Sequence, residues 1–516
     1  MAARRCCRRW APLLLPPSVR PAASLGPGGR PRVAGLAGRA HCARSSLYEH
    51  VRGGYSARPA LDMEHVCART DAAVANVESR KGELSGRDLR DVVVTWEQLR
   101  EVRQKIETLE KEKREISDRI KALLPESGQR ALPSHPEFLK LRQRGKEIRE
   151  ELNGLYPEES QLDERFYLKA LKIPNQTHPN VPVGDESQAR VMEVIGEKPV
   201  FNFNIKGHLE IGEDLDIIRQ RRLSHISGHR SYYLRGAGSE LQLALVQFTV
   251  RKLLDKGFVS ISVPDMMKGV VFEGCGMPPG AKASQVYRLD PTCYEDLNLA
   301  GTAEVGIAGY FMDHAVSLKD LPLRLVCSST CYRAETDRGR DPRGLYRVHH
   351  FTKVEMFGVT AAETGGESRE LLAHFVDIQK EIFSDLGLHY KVLDMPTEEL
   401  GLPAYRKLDI EAWMPGRGKY GEISSASNCT DYQSRRLNIM YRDRQTRLKY
   451  AHTVNATACA VPRTLIAILE ANQLQDGTVQ VPKALQSYLG GREVIDKPQH
   501  SPLEYIGPNR RHRKDV

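Results

Sequence analysis

The stretch Cys327–Phe357, CSSTCYRAETDRGRDPRGLYRVHHFTKVEMF, decides the fold. Arg333 and Glu335 sit two apart on an expected strand, so period-two alternation points both side chains to one side. A loop dense in Arg and Gly follows, and then a second expected strand that ends in Lys353 and Glu355. An arginine fork is the natural bidentate partner of a phosphate. Two strands that deliver arginine and carboxylates to one surface across a mobile basic loop suit a nucleoside triphosphate beside an amine-bearing substrate.

The texture around this stretch, from about residue 199 to 490, alternates β-branched apolar runs with Gly- and Asp-containing turns. Helices are expected at 241–256, 371–386 and 464–472, and a strand at 258–263 stopped by Pro264. Irregular mixing of strands and helices argues for an α+β fold with a largely antiparallel sheet rather than a βαβ series. No GxxxxGK[ST] loop and no strand–GxGxxG–helix unit occurs, so a nucleotide must be held without the two commonest phosphate loops.

Further toward the N-terminus, Leu89, Val92, Trp96, Leu99, Val102, Ile106, Leu109, Ile116, Ile120 and Leu123 recur at steps of three and four, broken once at Lys113. Pro125, Pro133 and Pro136 end that run, and Phe138, Leu141, Ile148, Leu152, Leu155, Leu162 and Phe166 form a second. Pro157 is a candidate kink. Two long helices around a short Pro-containing link should fold back as an antiparallel hairpin. Most of their charges read as solvated faces with intrahelical ion pairs. The seam fits an RNA-binding arm and a dimerising coiled coil equally well.

At 516 residues the chain has room for two or three domains. The expected division is a leader at 1–45, the helical arm at 46–172, a Pro/Asn/Gly-rich linker at 173–198, the large domain at 199–490 and a basic disordered tail at 491–516. Residues 1–48 hold nine arginines and no Asp, Glu or Lys, which leaves the rest of the chain near +1 out of a formal +10. Arg-rich, acid-free and only briefly apolar, this segment matches a mitochondrial transit peptide. No apolar run has membrane-spanning length. The ten cysteines form no dense framework, and only Cys327 and Cys331 are closely spaced. A reducing compartment and no structural zinc are expected.

Two more clusters carry chemistry. In GTAEVG, Gly301–Gly306, Thr302 and Glu304 can face one cleft. In Gly421–Arg442, Glu422 and Ser425 offer hard oxygen ligands. In His452–Gln473, Asn455 and Thr457 share a face, and Arg463 opens a helix where the backbone already favours phosphate. Arg333 and Arg463, far apart in the chain, should converge on one triphosphate. His349 and His350 are expected to be packed or hydrogen-bonded.

Taken in order, these segments resemble the signature motifs of class II aminoacyl-tRNA synthetases, the seryl enzymes above all. Gly257–Met266 is similar to motif 1, Tyr332–Phe357 to motif 2 and Asn455–Leu469 to motif 3. The stretches at 198–217 and 227–238 resemble the seryl domain just before motif 1, and the likeness spans about residues 60–490. It implies an antiparallel sheet flanked by helices, an N-terminal two-helix coiled-coil arm that holds tRNA(Ser), and a homodimer built partly on motif 1. It implies serine activation with ATP and Mg²⁺ and transfer of serine to tRNA; the transit-like start points to the mitochondrial matrix, and no membrane partner is expected. A paralogue that binds RNA without charging it is the alternative. Residue by residue, it places Arg333 on the α-phosphate and the serine carboxylate side of the adenylate, and Arg463 on the γ-phosphate. Glu335 falls at the adenine amino group, Phe351 stacks on adenine, and Val348 lines the same pocket. Glu422 and Ser425 match the positions that hold Mg²⁺ through ATP phosphates. Thr302, Glu304, Glu355, Asn455 and Thr457, together with Arg333, match serine-contacting positions. Thr457 stands where many bacterial relatives have Ser.

Overall fold

The structure is a computed structural model that describes residues 45–123, 135–220, 226–281, 284–335, 344–497 and 506. Residues 1–44 of the expected leader and most of the expected basic tail lie outside the described residues, as do Pro125, Pro133 and the basic loop at 336–343. The start of that tail is ordered, against expectation: Val494 and Ile495 pair with Val479 and Gln480, and Ile495 is buried in the main core.

The two heptad stripes form α1, Gly86–Ala122, and α2, Pro136–Ala170. Ser85 and Asp88 close a reciprocal capping box at the start of α1, and Pro136 opens α2. The helices pack as a pair whose seam has two parts. Near the body, Val92, Leu99, Phe166 and Ala170 pack with Met63. Further out, Leu109, Ile116, Ile148 and Leu152 form a separate cluster. Lys113, at the break in the stripe, is exposed and pairs with Glu110 at 3.0 Å. Pro157 lies inside the continuous α2 on its exposed face, where water can take up the freed carbonyl. Several ion pairs expected within single helices instead tie the two together. Arg144 forks onto both oxygens of Glu112 at 2.8 Å, and Arg103 reaches Glu159 at 2.8 Å.

Eight strands make the main sheet: β1 Arg190–Ile195, β2 Val259–Ser260, β3 Leu323–Tyr332, β4 His350–Thr360, β5 Tyr390–Asp394, β6 Arg406–Met414, β7 Lys419–Thr430 and β8 His452–Ala460. Their order is β1-β5-β6-β7-β8-β4-β3-β2, antiparallel throughout except for the parallel β2–β3 pair. The expected strand at 258–263 is thus reduced to two paired residues at one edge. At the other edge, β1 falls within the expected linker, so the sheet begins before residue 199.

The remaining helices used below are α3 Ala237–Asp255, α4 Ala303–Phe311, α5 Glu367–Asp385, α6 Tyr432–Leu437 and α7 Val461–Ala471. Helices α3, α5 and α7 cover one face with a large apolar cluster that includes Val354 and Met356 of β4. Gly358 permits the close seat of α5, since a Cβ there would stand 2.4 Å from Leu371 Cδ2. The odd-numbered residues of β4 turn to the opposite face. There Phe357 and Val359 pack beneath α4, while Phe351, Lys353 and Glu355 are left for a cleft. Alternation along one strand therefore gives both the floor of the site and the wall behind it.

Candidate active site

The cleft is lined by Arg333 and Glu335 after β3, Val348, Phe351 and Lys353 of the following strand region, Glu422 of β7, Thr457 of β8 and Arg463 of α7. The two arginines, 130 positions apart in the sequence, meet in this single cleft, as expected.

The local route to that arrangement differs from the expected one. Strand β3 ends at Tyr332, so Arg333 and Glu335 lie past its end, and Glu335 has a positive φ of 43°. What fixes Arg333 is backbone bonding: its N–H donates to His349 O at 2.8 Å, next to Tyr332 N–H on Ala300 O at 2.9 Å. Its guanidinium carbon lies over the Phe351 ring, 5.2 Å from the ring centre. Lys353 and Glu355 are the fourth and sixth residues of the 11-residue β4 rather than the end of a strand. Glu335 is held between Arg347 Nη1 at 3.5 Å and Arg230 Nη1 at 3.8 Å. Val348 is buried. His349 is hydrogen-bonded as expected, its Nδ1 meeting Tyr287 Oη at 2.8 Å, whereas His350 is exposed and stacks on Tyr232.

Arg463 occupies the third position of α7, after Val461 and Pro462. Its Nη1 donates to Glu422 O at 3.0 Å and to Glu422 Oε2 at 3.1 Å, and its Nε donates to Tyr346 O at 3.2 Å. Tyr346 also lies under the guanidinium of Arg417, 3.7 Å from the ring centre, and under that of Arg463 at 4.4 Å. Burial alone would raise the Glu422 carboxyl, but Arg463, Lys407 and Arg333 overcome it and hold the group well below the usual carboxylate range.

Glu422 and Ser425 are three apart, a spacing that a regular strand sends to opposite faces. A bulge resolves this. Ile410 pairs with Ser424 while Glu411 pairs with Glu422, so Ile423 is the extra residue. Ser425 then stands opposite Asp409, on the side that carries Glu422 and Lys407. Ser424 turns the other way, to Gln379 of α5.

Lys353 and Thr457 join the cleft to a buried polar network. Lys353 Nζ donates to Thr302 Oγ1 at 2.9 Å and forms an ion pair with Glu355. Thr457 Oγ1 donates to the same Glu355 oxygen at 3.4 Å. Thr302 is the N-cap of α4, which places Glu304 in its first turn. Gln433 Nε2 of α6 and Asn455 Nδ2 both donate to Glu304 Oε1, at 2.6 and 2.8 Å. Burial, then the neighbouring Glu355, pushes the Glu304 carboxyl up to about 7 against the Gln433 bond and Lys353. All twelve residues singled out from the sequence therefore fall in this cleft, its network or the adjoining β6–β7 face.

The raised Glu304 value carries a stability consequence. An acid whose folded pKa lies above its unfolded one stabilises most below the unfolded pKa of 4.5 and loses that contribution as pH rises through about 7. The span corresponds to about 3 kcal/mol. Melting curves of the native chain and Glu304→Gln should therefore converge at low pH and separate in favour of Gln toward pH 8. Parallel curves across that range would contradict the buried-acid environment.

The family description of a tRNA synthetase class II core domain (G, H, P, S and T) matches residues 287–472. The mitochondrial serine–tRNA ligases of Bos taurus and Mus musculus are each 62 % identical to this chain over 466 residues, with 90 % of both chains covered. The chain belongs to the seryl-tRNA synthetase family. The seryl-tRNA synthetase of Pyrococcus horikoshii, solved in complex with ATP, superposes with a TM-score of 0.77 at 32 % identity, covering 85 % of this chain and all of that one. The large antiparallel sheet flanked by helices is accordingly the class II synthetase core.

Within this seryl-tRNA synthetase site, four side chains were given no role from the sequence, although Lys353 was placed on the second expected strand. Lys353 carried a usable signal, since it shares a strand and a parity with Phe351 and Glu355. Gln433, Tyr346 and Arg230 carried none, because each enters the site through tertiary contacts alone. Among the described residues, no group of three or more His, Cys, Asp or Glu side chains is arranged to hold a metal ion.

Proposed function

We propose that this protein is an ATP-dependent serine–tRNA ligase of mitochondria, with Arg333, Arg463 and the Thr302–Glu304–Glu355 pocket as its working parts. The observation that supports this reading best is the meeting of two arginines in one cleft, beside a buried network of carboxylates and hydroxyls. A serine carboxylate oxygen attacks the α-phosphorus of ATP, the bond from that phosphorus to the β-bridging oxygen breaks, and pyrophosphate leaves with the electron pair. The 3′-terminal ribose hydroxyl of tRNA(Ser) then attacks the seryl carbonyl carbon, and AMP leaves.

No covalent protein intermediate is required. Arg333 neutralises the α-phosphate and the carboxylate side of the adenylate, and Arg463 the γ-phosphate. Phe351 stacks on adenine, Val348 closes the same pocket, and Glu335 accepts from the adenine amino group. Glu304 and Glu355 take the serine ammonium and hydroxyl, with Thr302, Asn455 and Thr457 completing the pocket. Alanine would leave these buried polar groups unpaired, and threonine is too bulky.

An ionised Glu422 beside the Ser425 hydroxyl suits Mg²⁺, which takes few protein ligands when phosphates supply the rest. Bound there, Mg²⁺ would neutralise charge on the ATP phosphates. The helical arm clasps tRNA(Ser) through backbone contacts made by exposed cations such as Lys105, Lys111, Arg119, Lys140, Arg142 and Arg149. The protein works in the matrix as a homodimer that includes the motif 1 segment. No helix among the described residues is long and apolar enough to cross a membrane.

Serine-dependent exchange of pyrophosphate into ATP tests the reading. Exchange with serine, and not with alanine or threonine, supports it. Absence of exchange would leave the RNA-binding paralogue.

A further inference from the structure

Lys353 is unusual among the groups of the amino-acid pocket. It is a lysine with 6 % of its surface exposed, and its ammonium sits between Thr302 and Glu355. A hydroxyl offers two acceptor lone pairs and one donor hydrogen. Thr302 Oγ1 receives Lys353 Nζ at 2.9 Å and the backbone N–H of Glu304 at 3.3 Å. Both lone pairs are thereby engaged, and the Thr302 hydrogen has to be donated. Glu355 Oε2 is fixed in the same way, as acceptor from both Lys353 and Thr457.

We propose that Lys353 is a positioning residue that sets the hydrogen-bond polarity of the pocket, presenting the Thr302 hydroxyl as a donor and the Glu355 carboxylate as a pinned acceptor. The inference rests on the proposed serine pocket. Serine offers both partners in one small molecule: an ammonium for the carboxylates, and carboxylate and hydroxyl oxygens for the Thr302 O–H. Lys353 need not touch the substrate. Without it, the Thr302 hydroxyl could turn its hydrogen inward, and two carboxylates would face each other with their shared cation gone. Removing one partner of a buried pair leaves an uncompensated charge, which makes the effect large.

The test uses the full chain in serine-dependent pyrophosphate exchange, with Lys353→Met and Lys353→Ala. The expected result for Lys353→Met is a rise in serine KM on the order of 10²-fold, with ATP KM changed by less than about threefold. Added ethylammonium should restore part of the serine affinity of Lys353→Ala by filling the vacated cation position, a rescue that a packing defect would not show. An unchanged serine KM, equal rises in both KM values, no response to ethylammonium, or loss of ATP-dependent thermal stabilisation would each overturn the proposal. Absence of exchange in the native protein would instead defeat the functional reading on which the inference rests.

Discussion

Replacing Arg333 with alanine should lower serine-dependent pyrophosphate exchange on the order of 10²–10³ while the fold survives. The backbone carries the local structure at this position: Arg333 N–H on His349 O and Tyr332 N–H on Ala300 O remain after truncation. Its side chain approaches the Phe351 ring at 5.2 Å and attracts the Glu422 carboxylate, which Arg463 and Lys407 also hold, so melting should shift little. The guanidinium matters most where charge gathers on the α-phosphate and the attacking carboxylate, so the loss should appear in kcat as well as KM. Arg333→Lys should recover only a fraction, because a point charge cannot reproduce a bidentate fork. Retained exchange in Arg333→Ala, with an intact melting curve, would remove this residue from the chemistry.

The second large effect concerns the arm. Its outer cluster, Leu109, Ile116, Ile148 and Leu152, is separate from the inner one around Met63, Leu99 and Phe166. The Arg103–Glu159 pair marks a place to cut between them. Replacing residues 104–158 with a short glycine-rich turn should leave the inner cluster and pyrophosphate exchange intact. Charging of tRNA(Ser) should fall on the order of 10²–10³, and its salt dependence should flatten as phosphate contacts are lost. An equal fall in both activities would make the arm a structural element instead.

The sequence made much of this legible because helical and strand periodicity survive folding. The arm was readable from its three-and-four stripe, and period-two alternation put Asn455 and Thr457 on one face of what is β8. Other placements were right for reasons the pattern could not supply. Arg333 and Glu335 share the cleft although the strand stops at Tyr332, because a turn with positive φ at Glu335 takes over. Glu422 and Ser425 share a face only through the bulge at Ile423, and bulges leave little trace in composition. The Gln433 contact to Glu304 spans 129 residues, a distance no local pattern encodes. Alternating charges on the arm predicted pairs within each helix, whereas Arg144–Glu112 and Arg103–Glu159 cross between helices, because an antiparallel hairpin brings such residues as close as neighbours four apart.

The most direct test of the account is ATP–pyrophosphate exchange by the full chain, run without tRNA and with serine, alanine, threonine or glycine in turn. Exchange that requires serine is the predicted result. No exchange, or exchange equally supported by alanine, would contradict an activation site built from these two arginines and this pocket.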